Sequence, residues 1–67
     1  MDNKAIHFKS TPLGYQVFEG EKLIGQIKSL NYKNFSVDLK KEERSLKENY
    51  ISANEAIRAS IKFIKNE

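Results

Sequence analysis

Few residues of this chain have the chemistry of a catalyst. It has no cysteine and one histidine, His7, so a thiolate nucleophile and a zinc site built from several Cys and His ligands are both out of reach. His7 falls in opposite phase to Ile6 and Phe8, the placement of a solvent-facing strand residue. The one carboxylate cluster, Glu42, Glu43 and Glu48, is interleaved with Lys40, Lys41, Arg44 and Lys47. That pattern marks a solvated, self-neutralising segment, not paired acids in a cleft. Ser10, Ser29, Ser36, Ser45 and Ser60 sit in no nucleophile motif, and Gly14, Gly20 and Gly25 are too scattered to cradle a phosphate. A chain of 67 residues is also short for enclosing the roughly 300 Å³ that small-ligand pockets need. The expectation is a non-enzymatic domain with no cofactor, no metal and no small-molecule substrate.

The remaining chemistry is cationic. Lys and Arg number 12 against 9 Asp and Glu, a net charge of +3. Solubility alone accommodates such a charge, and a phosphate backbone is compatible with it. Arg58, Lys62 and Lys65 follow an i, i+4, i+7 spacing, which places them on one helical face. Such a face is ordinarily solvated; its functional reading is phosphate contact, joined by Lys9, Lys28 or Lys33. Tyr32 alone reads as an exposed ring, so aromatic stacking of single strands is thinly supported.

The elements that would position these residues are read from periodicity. Ala5 to Ser10 alternates Ile6 and Phe8 with His7 and Lys9, a half-buried strand. Thr11-Pro12-Leu13-Gly14 breaks it. Tyr15 to Phe18 and Leu23 to Ser29 are the next strands, around a tight turn at Gly20. Asn31 to Asn34 turns again, and Phe35 to Lys40 sets Phe35, Val37 and Leu39 on one face and Ser36, Asp38 and Lys40 on the other. Lys40 to Asn49 has only Leu46 apolar and reads as an exposed loop or hairpin extension. Ser52-Ala53-Asn54-Glu55 is a capping box, with Ile51 and Ala56 at the staple positions. Ala53, Ala56, Ile57, Ser60, Ile61 and Ile64 then form one helical face, flanked by Phe63. The spacing predicts a helix over 53–65 and an α+β fold: a three- or four-stranded antiparallel β-meander packed on one C-terminal α-helix, one domain over 1–67.

The absence of cysteine fits a reducing cytosol. No apolar run nears the ~20 residues of a membrane span, and Met1-Asp2-Asn3-Lys4 lacks the apolar stretch of a secretion signal. These point to a cytoplasmic protein without a membrane partner.

Strands followed by Tyr50, Ser52, Glu55 and Ala56 at a helix start resemble the arm-type DNA-binding domain of phage and transposon integrases. Those domains place three antiparallel strands before one helix and read the major groove with the sheet face. The resemblance covers roughly Gly14 to the end. It implies a small accessory protein, phage- or mobile-element-encoded, with nucleic acid as partner; the frequent Lys, Asn, Ile and Glu of an AT-rich genome agree. The sheet face expected here, Gln16, Gln26, Lys28, Ser36 and Asp38, is poorer in cations than the family's, and Asp38 opposes phosphate. A looser similarity, over Tyr15 to Ile27 and Ile51 to Ile64, is to the single-stranded-DNA-binding transcriptional coactivator family.

The alternative is a protein-binding module or inhibitor that docks on a host protein, or a homodimer, through the outer sheet face. A three-residue loop after Glu19 places Tyr15, Val17, Leu23 and Ile27 inward and pairs Phe18 with Ile24 outside. A two-residue loop, Gly20 and Glu21, places Phe18, Leu23 and Ile27 inward and Tyr15, Val17 and Ile24 outside. With Leu23 and Ile27 inward, Ile24 points outward in either register, so Phe18 and Ile24 are the expected protein interface.

Overall fold

The computed structural model describes residues 5–66; the reading of Met1 to Lys4 lies outside them. Strands β1 (Ile6–Thr11), β2 (Gly14–Glu19), β3 (Lys22–Asn31), β4 (Asn34–Lys41) and β5 (Arg44–Tyr50) precede helix α1 (Ala53–Lys65). They form one antiparallel five-stranded sheet in the order β1-β2-β3-β4-β5. The α+β class and the helix bounds match expectation, and the strand count exceeds it by the segment expected as an exposed loop or hairpin extension. Arg44–Tyr50 pairs with β4 along its whole length, Leu46 opposite Leu39 and Tyr50 opposite Phe35. Its dense charge suits an edge strand, where charged side chains discourage pairing with another chain.

The helix lies across β4 and β5 and closes one face of the sheet. Val17, Ile24, Ile27, Val37, Leu39, Ala56 and Ile64 form the buried core, rimmed by half-buried Ile6, Phe8, Tyr15, Phe35, Leu46, Tyr50, Ile57 and Phe63. Ser60 is buried among them, and its hydroxyl donates to the Ala56 carbonyl at 2.8 Å, which removes the cost of burying it.

The helix ends are tied down individually. The Glu55 amide donates to Ser52 Oγ at 3.2 Å, half of the expected capping box. Ile51 stays exposed, so the hydrophobic staple does not form; Ala56 is too short to receive it. Asn66 adopts a left-handed conformation, and its amide donates to the Phe63 carbonyl at 3.2 Å, closing the helix. Lys41 Nζ lies 3.0 Å from both Glu19 Oε2 and the Ile64 carbonyl, so β2, β4 and the last helical turn share one ammonium. Arg44 stacks 4.7 Å over the Phe63 ring and donates to Asn66 Oδ1. Ser52→Ala is expected to lower stability by about 1 kcal/mol, read as a lower thermal midpoint. An unchanged midpoint would mean the cap bond adds nothing.

The hairpin of β2 and β3 has the two-residue loop of the second alternative but overturns the facing of side chains given for both. Its turn is the two-residue Gly20-Glu21, pairing Glu19 with Lys22 and Phe18 with Leu23. The register then shifts, so that Val17 pairs with Gly25 and Ile24 is the extra residue of a β-bulge. Two successive residues of a bulge oppose one partner, which breaks the period-2 alternation. Leu23 is therefore exposed, and Ile24 joins Ile27 in the core with 4% of its surface accessible. The expectation of Ile24 on the outer face is overturned. Gly25 makes the bulge sterically feasible: a Cβ there would collide with the Asp38 carbonyl oxygen and lie 2.7 Å from Leu39 Cα.

Candidate functional site

The face of the sheet turned away from the helix is open. Directly opposed residues share a face, so the register assembles this surface row by row. Lys9, Gln16, Gln26, Asp38 and Lys47 oppose one another across all five strands. The next rung carries Thr11, Gly14, Lys28, Ser36 and Asn49. Asn49 Nδ2 donates to Asn34 Oδ1 at 2.9 Å, which holds two strand amides in one orientation. On the other side of the central row, Lys40 opposes Ser45, and His7 opposes Phe18, which opposes Leu23.

Lys9, Lys28, Lys40 and Lys47 are all exposed on this face, and Asp38 is its one carboxylate. None of the four takes part in the ion pair found among the described residues, which joins Lys41 to Glu19 on the helix side. Asp38 faces Lys47 across the β4–β5 ladder, which offsets its repulsion of an anion. The surface is thus richer in cations than the sequence suggests. Lys9 and Lys47 enter it only because β1 and β5 complete the sheet.

Two shallow depressions mark the same face. One, of about 350 Å³, is lined by Gln16, Leu23, Ile24, Gly25, Gln26, Asp38 and Lys40. The other, of about 380 Å³, is lined by Thr11, Pro12, Leu13, Gln16, Gln26, Ile27 and Lys28. Their volumes reach the size thought beyond so short a chain, but both are open to solvent and not enclosed. They share Gln16 and Gln26, so the two side-chain amides stand between them. Among the described residues, no three His, Asp or Glu side chains converge as a metal site.

The expected nucleic-acid residues do not form one surface. Arg58, Lys62 and Lys65 are exposed on the outer side of α1, with Ala56, Ser60 and Ile64 on its buried side. They therefore lie on the opposite side of the two-layer domain from Lys28. Lys62 and Lys65 stand in the last helical turn, where cations offset the helix dipole, and so have a structural use. Lys33 sits at the β3–β4 turn with its ammonium 5.5 Å from the Tyr32 ring centroid. Of the expected protein-interface pair, Phe18 stays on the open face, stacked on His7 at 5.1 Å between ring centroids and 9° between planes. Leu23 stands beside it in the place expected for Ile24. Toward the helix start, burial and then the Glu48 and Glu55 carboxylates push the Tyr50 phenol above its ordinary value.

Compared with known proteins, the chain matches no family profile, no curated protein and no solved structure. Among the described residues no helix is long and apolar enough to cross a membrane.

Proposed function

We propose that this is a small non-catalytic accessory domain that associates with nucleic acid through its open sheet face. The observation that carries this reading is the set of exposed lysines, Lys9, Lys28, Lys40 and Lys47, around the single carboxylate Asp38 on one face of the sheet. Lysines so placed neutralise phosphates and release counterions, which supplies affinity without sequence preference. Gln16 and Gln26 between them carry donors and acceptors suited to base edges. The resemblance to arm-type integrase domains, and the phage or mobile-element origin that goes with it, supports the use of the sheet. The helix stripe of Arg58, Lys62 and Lys65 is the competing phosphate surface.

Binding of a duplex oligonucleotide across a salt series tests both surfaces. Joint replacement of Lys9, Lys28, Lys40 and Lys47 by Glu is expected to abolish binding. Each single replacement should flatten the salt slope by about 0.9. Joint replacement of Arg58, Lys62 and Lys65 by Glu should change little. The reverse outcome moves the site to the helix, and no binding by the natural sequence at low salt rejects nucleic acid as partner.

A second reading, docking on a protein, draws on Leu23 beside the stacked Phe18 and His7. An apolar row next to cations is the composition of an interface core and rim.

A further inference from the structure

The two ends of the sheet differ in chemistry. At one end the turns are Gly20-Glu21 and Glu42-Glu43; at the other they are Pro12-Leu13 and Tyr32-Lys33, beside the Ile51-Ser52 junction into α1. Of the five large hydrophobic residues exposed among the described ones, four stand at this second end: Leu13 at 66% exposure, Leu30 at 56%, Tyr32 at 82% and Ile51 at 69%.

None of these four side chains belongs to the core or its rim. Turns are ordinarily filled by Gly, Asn, Asp, Ser or Pro for backbone reasons that Leu and Tyr do not serve. Leu13 contributes its carbonyl, which accepts from the Ser29 amide at 2.7 Å, while its side chain stays in solvent. Leu30 is the extra residue where the β3–β4 register shifts between Ser29 and Asn31, which turns it out of the ladder. Ile51 precedes the helix cap without packing on Ala56.

We propose that, against the expectation of no membrane partner, this end docks peripherally on an anionic lipid surface without spanning it, with Leu13, Leu30, Tyr32 and Ile51 entering the headgroup–acyl boundary. The shape favours a lipid layer over a protein. The apolar groups stand on three separate tips, and a protein would need a matching hollow for each, whereas a bilayer interface accepts apolar groups at any spacing. Tyrosine is a residue of that boundary, its ring apolar and its hydroxyl wet. The charge is complementary: Lys33 lies over Tyr32, neither turn holds a carboxylate, and the chain is net positive. The carboxylates on elements reaching this end, Glu48 and Glu55, belong to β5 and the first turn of α1. Lysines near an anionic leaflet strengthen such contacts within a Debye length.

The chain has no tryptophan, so Tyr32→Trp creates a single reporter at this end and Glu21→Trp one at the other. With vesicles of phosphatidylcholine and phosphatidylserine, Tyr32→Trp emission is expected to shift to the blue and Glu21→Trp emission to stay unchanged. Vesicles of phosphatidylcholine alone should bind more weakly. Adding Leu13→Ser and Ile51→Ser to Tyr32→Trp should weaken vesicle binding by roughly tenfold or more, a free-energy change of about 1.4 kcal/mol. Leu13→Ser alone, at a turn tip, repeats the test if Ile51→Ser disturbs the helix start. The proposal is overturned by the absence of a shift, by equal shifts at both ends, or by binding indifferent to Leu13. Self-association without lipid that Leu13→Ser abolishes would also overturn it, by making a second copy the occupant. Oligonucleotide binding should survive the tip variants, which separates this outcome from the nucleic-acid reading.

Discussion

Ile24→Asp is expected to unfold the domain, while the same replacement one position earlier, Leu23→Asp, is expected to leave it folded with nearly the same midpoint. Neighbouring strand residues ordinarily face opposite ways, so one of the two must be core; the bulge decides which. Ile24 is all but inaccessible and packed in the main cluster, whereas Leu23 is half in solvent. An aspartate at 24 loses the isoleucine's transfer energy and buries a charge with no partner, a combined cost of about 4 kcal/mol or more. A single core of this size supplies only about 3–5 kcal/mol of net stability. Urea titration of both variants gives the answer. A folded Ile24→Asp beside an unfolded Leu23→Asp would mean that β3 runs without its bulge and presents Ile24 outward.

Gly25→Val should be nearly as damaging, by about 3 kcal/mol through overpacking. Strand propensity alone argues for the opposite sign, since valine is favoured in strands and glycine is not. The backbone of β4 overrules it. Any Cβ at this position meets the Asp38 carbonyl and the Leu39 Cα, and neither can move without opening the β3–β4 ladder. The urea midpoint measures the effect. A stabilised Gly25→Val would show that the close approach of β3 to β4 is absent in solution.

These two positions also show where sequence reading stops. The helix was legible to the residue because its signals are local: a serine cap, a glutamate three positions on and a 3.6-residue apolar repeat. The first four strands emerged within two residues of their ends for the same reason. Strand β5 did not. Its inward positions are Arg44, Leu46, Glu48 and Tyr50, and a strand at the sheet's edge, under the helix rim, can hold charged side chains whose ends reach water. The bulge at Ile24 was illegible for a different reason. It belongs to the pairing of two strands, and an apolar spacing of three between Ile24 and Ile27 conflicts with a regular strand until the extra residue is admitted.

The candidate site followed its elements. Lys9 and Lys28 are legible as surface cations from their strands alone, whereas Lys47 joins them only once a fifth strand lies beside β4. Arg58, Lys62 and Lys65 share one exposed helix face, as their spacing predicts. Their separation from Lys28 required knowing which face of the sheet the helix covers.

The strand order has a kinetic consequence. Every strand pairs with its neighbour in the chain across a two-residue turn, and α1 docks on the two strands made just before it. No step must close a long loop, so the entropy lost before each contact forms is small. Sheets are usually slow to assemble because their pairings join distant parts of the chain. Here each hairpin can zip on its own, on the microsecond scale of about 1–10 μs known for isolated hairpins. Docking of α1 over β4 and β5 then gathers the last of the core.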